Sequence, residues 1–431
     1  MQSKVFYRSF RKNYPLVERA EGIYIYANNR RYIDGSSGAV VVNIGHGVKE
    51  VVEAMNSQMQ KVSFAHTARF TNEWQEKLAV LLNEITPNKG LSYFVSSGTD
   101  ANETAIKLAR QYHIENRDEK RWKIISRKIS FHGNTLGSLS ASGDESNRKL
   151  YTPLLLSFPQ IEPCYCYRCP FNKTKELCSC ECAFELEREI KNQGAETVSA
   201  FIAEPIVGAT GGALVPHKDY FKIIREICSK YNILLIADEV MTGFGRAGKM
   251  FAMQHFNAAA DIITTGKGLT SGYSPLAACI ASEKIVDAIA KGSGNFVHGT
   301  TYTGNPVSCA AGYAVVNYIL KHKLHENAEK IGNYIMKRLN ELKEGHEFIG
   351  DIRGKGLLIS VEFVKDKKSK QASEGRAKKI IETCMENGLL LYDAGRASGA
   401  DCLLIAPPLV TTKGQADEIL RIFEDSLSKS L

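Results

Sequence analysis

From Leu91 onward the chain alternates short apolar runs with stretches of helical periodicity, and this alternation constrains the fold more than any other feature. Leu91–Val95, Lys123–Ser126, Ser199–Ala203, Ile233–Ala237, Asp261–Thr264 and Ala277–Ala281 are each four or five residues long. Runs this short, rich in β-branched residues and apolar on both faces, read as strands buried from either side. Helical stretches such as 100–116 and 218–231 separate them. The expected fold is therefore α/β, a mostly parallel sheet flanked by helices.

The flanks have a different pattern. Residues 22–34 read as a hairpin about Asn28-Asn29, and amphipathic helices are expected at 49–61 and 73–85. Beyond residue 305 the pattern gives helices at 306–322 and 325–344, a two-strand region at 349–364, and helices at 374–387 and 414–429. A chain of 431 residues is too long for one ordinary core. Residues 61–320 are expected to form a large domain, with 1–60 and 321–431 contributing a smaller α+β domain from both termini.

Composition narrows the function classes. The chain is 44% hydrophobic and 24% charged, as soluble globular proteins are. It has no run of eighteen apolar residues and no apolar leader, so a membrane span is excluded and a cytoplasmic location is expected. The formal net charge of +8 fits either a mildly basic surface or attraction of an anionic substrate or phosphate-bearing cofactor. Lys and Arg are dispersed without a recognition motif, which argues against nucleic acid as a partner.

The chemistry-bearing residues fall just past the predicted strands, where open α/β sheets bind ligands. Glu204-Pro205 and Asp238 each close an apolar run, and Lys267 follows Asp238 by 29 residues, between Gly266 and Gly268. Lysines are ordinarily surface residues, but Ile262-Ile263 and the two glycines suggest a constrained, partly buried turn. A desolvated lysine loses its proton easily. Such an amine can hold an aldehyde as a Schiff base, and a carboxylate can keep a pyridine nitrogen protonated, which together meet the needs of pyridoxal phosphate. Ser96-Ser97-Gly98-Thr99-Asp100 opens a helix and reads either as a phosphate cup or as simple capping. Phe131-His132-Gly133 offers a ring for stacking on a planar cofactor, or a core aromatic. His298–Pro306 opens another helix with hydroxyls in reach of an anion.

Taken in order, Ser-Gly-Thr-Asp-Ala-Asn-Glu, Phe-His-Gly, Ala-Asp-Glu-Val, Gly-Lys-Gly and Thr-Gly-Asn-Pro resemble the class III (ω-amino-acid) aminotransferases, pyridoxal 5'-phosphate enzymes of fold type I. The resemblance extends from about Asp34 to Pro408. It implies that Lys267 is the Schiff-base lysine and general base, that Asp238 pairs with the pyridine nitrogen, and that Val240 and Phe131 cover the two ring faces. It further implies that Gly98 and Thr99 hold the phosphate, that Thr301 reaches the phosphate of a neighbouring subunit in a homodimer or larger assembly, and that His132 and Glu204 support the ring's polar edge. Val40, Asn134 and Arg396 then fall on the substrate side.

Departures from the family pattern bear on the substrate. Asn134 stands where the 4-aminobutyrate enzymes carry an arginine, and Ala209 where they and the ornithine enzymes carry a glutamate. Arg396, in a Gly- and Ser-rich loop, is either a solvated arginine or a mobile guanidinium suited to a carboxylate. The expected activity is amino transfer from an ω- or β-amino compound to pyruvate or 2-oxoglutarate by ping-pong chemistry. Alternatives are a β-aminoacyl-CoA donor, a mutase or decarboxylase on the same scaffold, and a cofactor-binding regulator. Cys164, Cys166, Cys169, Cys178, Cys180 and Cys182, six of eleven cysteines, crowd an insertion at 164–182. Their spacing leaves a structural metal, disulfides and free thiols all open.

Overall fold

The computed structural model describes residues 3–174 and 177–429. Residues 1–2 and 430–431 of the two expected terminal portions, and 175–176 of the cysteine-rich insertion, lie outside the described residues.

The alternating pattern gives a seven-stranded sheet in the order Leu91–Val95, Ala277–Ala281, Ile262–Thr265, Leu234–Asp238, Val198–Ala203, Lys123–Arg127, Gln160–Ile161. Its strands from Ile262–Thr265 to Gln160–Ile161 run parallel, as expected. Ala277–Ala281 is antiparallel to both of its neighbours. The connection Gly266–Leu276 is too short for the crossover that a parallel strand requires, so the chain turns straight back. The four strands from Val198–Ala203 to Ala277–Ala281 in chain order are buried at every residue, because both faces carry cover. On one face lies the helix Gly98–Glu115, which turns Ala101, Ala105, Leu108 and Ala109 toward the sheet. That i, i+4, i+7 spacing is the apolar stripe of a helix on a core.

The helices Lys49–Lys61 and Glu73–Ile85 pack against Pro306–Lys321, which starts with proline at its first turn under an Asn305 cap. The expected hairpin forms from Tyr24–Ala27 and Arg30–Asp34, with positive φ at Asn28 and Asn29 (51° and 57°), as tight hairpin turns demand. Val17–Glu21 extends it on one side, and Leu389–Leu390 pairs parallel with Arg30–Asp34 on the other. Segments distant in sequence thus share one sheet. The region at 349–364 is the hairpin Ile349–Lys355/Leu358–Phe363, enlarged by Asp401–Ile405 and Tyr392–Ala394. Fully buried Arg246 joins these parts: its guanidinium donates to the Leu357 and Pro407 carbonyls and to Ser37 and Asn43.

Candidate active site

The C-terminal ends of the central strands open onto a cavity of about 190 Å³ lined by Ser97, Gly98, Thr99, Asn102, Phe131, His132, Gly133, Glu204, Ala209, Asp238, Val240, Met241 and Lys267. A larger cavity of about 630 Å³ beside the cysteine-rich insertion contains none of these residues. The small cavity gathers Lys267, Asp238 and Glu204 from the strand ends.

Asp238 closes its strand and is buried. Its Oδ2 accepts hydrogen bonds from Asn102 Nδ2 (2.8 Å) and His132 Nδ1 (2.7 Å), and Oδ1 accepts from the Val240 N–H (3.1 Å). Asn102 is itself held: Nδ2 also donates to the His132 carbonyl (2.7 Å), and Oδ1 accepts from the Thr264 hydroxyl (2.7 Å). The carboxylate is therefore fixed in position, and among the described residues no lysine or arginine is bonded to it.

Glu204 is buried at the end of the adjacent strand and accepts from the Phe131 N–H (3.0 Å) and the Gly208 N–H (2.7 Å). Burial raises its carboxyl above the usual carboxylate range; His132 opposes the rise and Asp238 adds to it. Fully buried Arg127 donates to the Glu204 carbonyl.

Lys267 sits at φ +39°, a left-handed position that few side-chain-bearing residues adopt. Burial pushes its amine down to about 8; the carboxylates of Asp238 and Glu204 resist the shift and Arg246 adds to it. The turn is tight. A Cβ on Gly268 would stand 2.3 Å from Asn43 Nδ2, so glycine is required beside the lysine.

Two further close approaches shape the opposite wall. A Cβ on Gly98 would lie 2.5 Å from Val240 Cγ1, and one on Gly133 would lie 2.5 Å from Thr99 Oγ1. Ser97 Oγ caps the helix by accepting from the Asp100 N–H (3.2 Å), so the capping reading holds. The first N–H groups of that helix, at Gly98 and Thr99, have no intrahelical acceptor and border the cavity.

Four expected site residues do not line the cavity. Val40 is buried in an adjoining apolar cluster with Ile206 and Ala394, at φ +58°. Asn134 and Thr301 are exposed. Arg396 is exposed on a loop fastened to the cavity wall, where Gly395 N–H donates to the Ala209 carbonyl (2.8 Å) and Ala397 N–H to the Thr210 carbonyl (3.1 Å). Phe131, 38% exposed, lines the cavity and is not a core aromatic.

The family model for aminotransferase class III matches residues 7–427. The chain belongs to the class III aminotransferases. An uncharacterized aminotransferase of Bacillus subtilis, YodT, is 41% identical over 96% of this chain and 95% of its own length. A leucine/methionine racemase of Thermococcus litoralis is 37% identical over 99% and 94%. The solved structure of an (S)-enantioselective ω-transaminase from Thermomicrobium roseum superposes with a TM-score of 0.92 at 36% identity, covering 98% of this chain and 94% of that one.

Class III aminotransferases work with pyridoxal 5'-phosphate, and the cavity of this aminotransferase fits it. The N–H groups at the start of the helix suit a phosphate, and the absence of a side chain lets Gly98 pack on Val240 and Gly133 on Thr99 in the cavity wall. His132, expected at the ring's polar edge, lines the cavity with its Nδ1 bonded to Asp238, and its buried Nε2 has no partner among the described residues. Asn102 and Thr264 were not singled out by sequence, although Asn102 stands within the Ser-Gly-Thr-Asp-Ala-Asn-Glu motif. Glu103 of the same motif fixes the Phe131 loop, accepting from the Thr135 hydroxyl and the Ser138 N–H (2.9 Å). Among the described residues the six cysteines of the insertion form no disulfide, which removes that alternative in this structure. Among the described residues no three Cys, His, Asp or Glu side chains gather as a metal site requires. Among them, too, no helix is long and apolar enough to cross a membrane.

Proposed function

We propose that this aminotransferase moves an amino group from an ω- or β-amino donor to a 2-oxo acid, pyruvate or 2-oxoglutarate, in two half-reactions at one site. The observation that carries this reading is the convergence on one cavity of a lysine amine poised near neutrality and a carboxylate held by Asn102 and His132. Pyridoxal phosphate supplies the electron sink that stabilises the carbanion at the donor carbon. Lys267 anchors it and then, as the free amine, removes and returns the proton at that carbon. An amine with a pKa of about 8 suits both directions, since base strength and the neutral fraction are balanced.

Asp238 holds the pyridine nitrogen in its protonated form, and Asn102 and His132 keep its Oδ2 from rotating away. Gly98 and Thr99 N–H groups take the phosphate, Val240 and Phe131 bracket the ring, and Glu204 meets its polar edge. Thr301, exposed and outside its own cavity, contributes to the phosphate site of a second subunit in a homodimer. Arg396 binds the carboxylate of the oxo acid, with Val40 and Asn134 on the donor side. Residues 61–320 act as the cofactor-binding domain and both termini as the smaller one. The shared sheet of Arg30–Asp34 and Leu389–Leu390 supports that division.

Two other readings have specific support. A β-aminoacyl-CoA donor fits the net charge of +8 and the neutral Asn134. The racemase relative favours proton return without amino transfer. Loaded enzyme exposed to β-alanine, taurine, 3-aminobutyrate and a 3-aminoacyl-CoA separates them. A free amine is expected to bleach the cofactor's visible band, and pyruvate or 2-oxoglutarate to restore it. Bleaching by the thioester alone contradicts the free-amine reading. Exchange of the donor's Cα hydrogen with solvent and no oxo product contradicts amino transfer.

A further inference from the structure

The cysteine-rich insertion lies outside the cavity, yet it is linked through intervening side chains to both ends of the segment that forms one cavity wall, residues 204–212. At the first end, Cys164 Sγ accepts from Arg127 Nη1 (3.2 Å), and Arg127 Nη2 holds the Glu204 carbonyl. At the second, Arg168 donates from Nε (2.8 Å) and Nη2 to Glu362 Oε1, and the Tyr165 hydroxyl donates to Oε2. Glu362 is fully buried on the strand Leu358–Phe363. Its third partner is Arg353, whose Nη1 bonds Oε2 while Nε and Nη2 donate to the Gly212 (2.6 Å) and Gly211 (2.9 Å) carbonyls. Gly212, at φ +71°, is pressed so close that a Cβ would meet Cys402 Sγ at 2.4 Å. The preceding carbonyls, of Ala209 and Thr210, are the ones that receive the Arg396 loop.

We propose that the insertion, through Arg168, Tyr165, Glu362 and Arg353, positions the Arg396 loop against the cavity and so sets recognition of the substrate carboxylate. This rests on the assignment of Arg396 to the carboxylate. The physical basis is competition for one guanidinium. A buried carboxylate must be paired, and Glu362 satisfies itself with two arginines and a phenol. Without Arg168, Glu362 draws more of Arg353 to itself, the Gly211 and Gly212 carbonyls lose their donors, and the wall that carries the loop loosens. Arg168, Tyr165, Glu362 and Arg353 are positioning residues; none lines the cavity.

The test uses the loaded full-length enzyme and the variants Arg168→Gln, Arg168→Lys, Arg396→Ala and the double variant Arg168→Gln/Arg396→Ala. Hydrogen exchange over residues 392–400 reads the loop directly, with 234–238 as internal control. In Arg168→Gln the loop is expected to exchange roughly tenfold faster, the control strand to be unchanged, and KM for the oxo acid to rise roughly tenfold with little change in kcat. Arg168→Lys is expected to recover part of both effects. The double variant is expected to raise KM no further than Arg396→Ala alone. Wild-type exchange at 392–400 in Arg168→Gln, or KM effects that multiply in the double variant, overturns the proposal. An unchanged KM in Arg396→Ala overturns the carboxylate assignment alone, and the exchange measurement still decides the positioning. If Arg168→Gln does not fold, Tyr165→Phe removes one bond to Glu362 and is expected to shift exchange in the same direction by less; no shift overturns the proposal.

Discussion

Gly98→Ala tests the geometry of the cavity wall. The added methyl would stand 2.5 and 2.9 Å from the two methyls of Val240, well inside contact distance. Gly98 starts a helix anchored on the sheet, so relief must come from Val240, which borders the cavity. Overpacking of this kind costs about 1–3 kcal/mol. If the displaced valine intrudes on the cofactor's place, that cost is felt in binding and weakens cofactor affinity about 5- to 150-fold. Val240→Ala removes both methyls, leaving its Cβ at 3.3 Å from the new methyl. The double variant should therefore bind more tightly than the sum of the two single losses predicts, with a coupling of about 1 kcal/mol or more. Equilibrium titration of cofactor-free protein with pyridoxal phosphate, followed by its absorbance, gives all four constants. Wild-type affinity in Gly98→Ala, or simple additivity in the double variant, would refute the reasoning.

The remaining expectations concern charge and hydrogen bonding. Lys267 reacts only as the neutral amine, so cofactor loading should speed up as pH rises from 6 and level off above about 8; a rate independent of pH across that range counts against a buried, perturbed amine. Asn102→Ala takes a bond from Asp238 and leaves the Thr264 hydroxyl without its acceptor, which should cost about 2–4 kcal/mol in urea unfolding. A loss below about 1 kcal/mol would show that Asn102 does not hold the carboxylate. Glu239 is fully buried beside Asp238 and raised to about 7 by burial, against the pull of Thr242, Met253 and Ala252. A raised carboxyl is stabilising below its unfolded pKa, and that contribution is lost as pH climbs through the folded value. Wild-type stability should thus fall, relative to Glu239→Gln, by roughly 3 kcal/mol between pH 4.5 and above 7. Parallel stability profiles for the two proteins would contradict this.

What could be read from sequence followed from periodicity and from residues at strand ends. The central strands are apolar on both faces, and they proved to be the sheet core from Val198 to Ala281. The reversal of Ala277–Ala281 was readable in principle, because Gly266–Leu276 leaves no room for a crossover. Leu389–Leu390 and Tyr392–Ala394 were not, since strands of two or three residues have no period and exist only through their partners. Lys267, Asp238 and Glu204 stood out because each ends a buried run. Asn102 did not, because its contact with Asp238 spans 136 residues of sequence and a mid-helix asparagine carries no local signal of such a bond. For the same reason the insertion carries no sequence signal of its link to the cavity wall, although Arg168 meets Glu362 across 194 residues.

The central claim is that Lys267 is the amine that holds the cofactor. Borohydride reduction of the loaded enzyme fixes the cofactor to whichever amine carries it, and peptide mass spectrometry then locates the site. The expected result is a single pyridoxyl modification at Lys267, absent from Lys267→Ala. Modification at another lysine, or none in protein that retains the cofactor's visible band, would contradict the account.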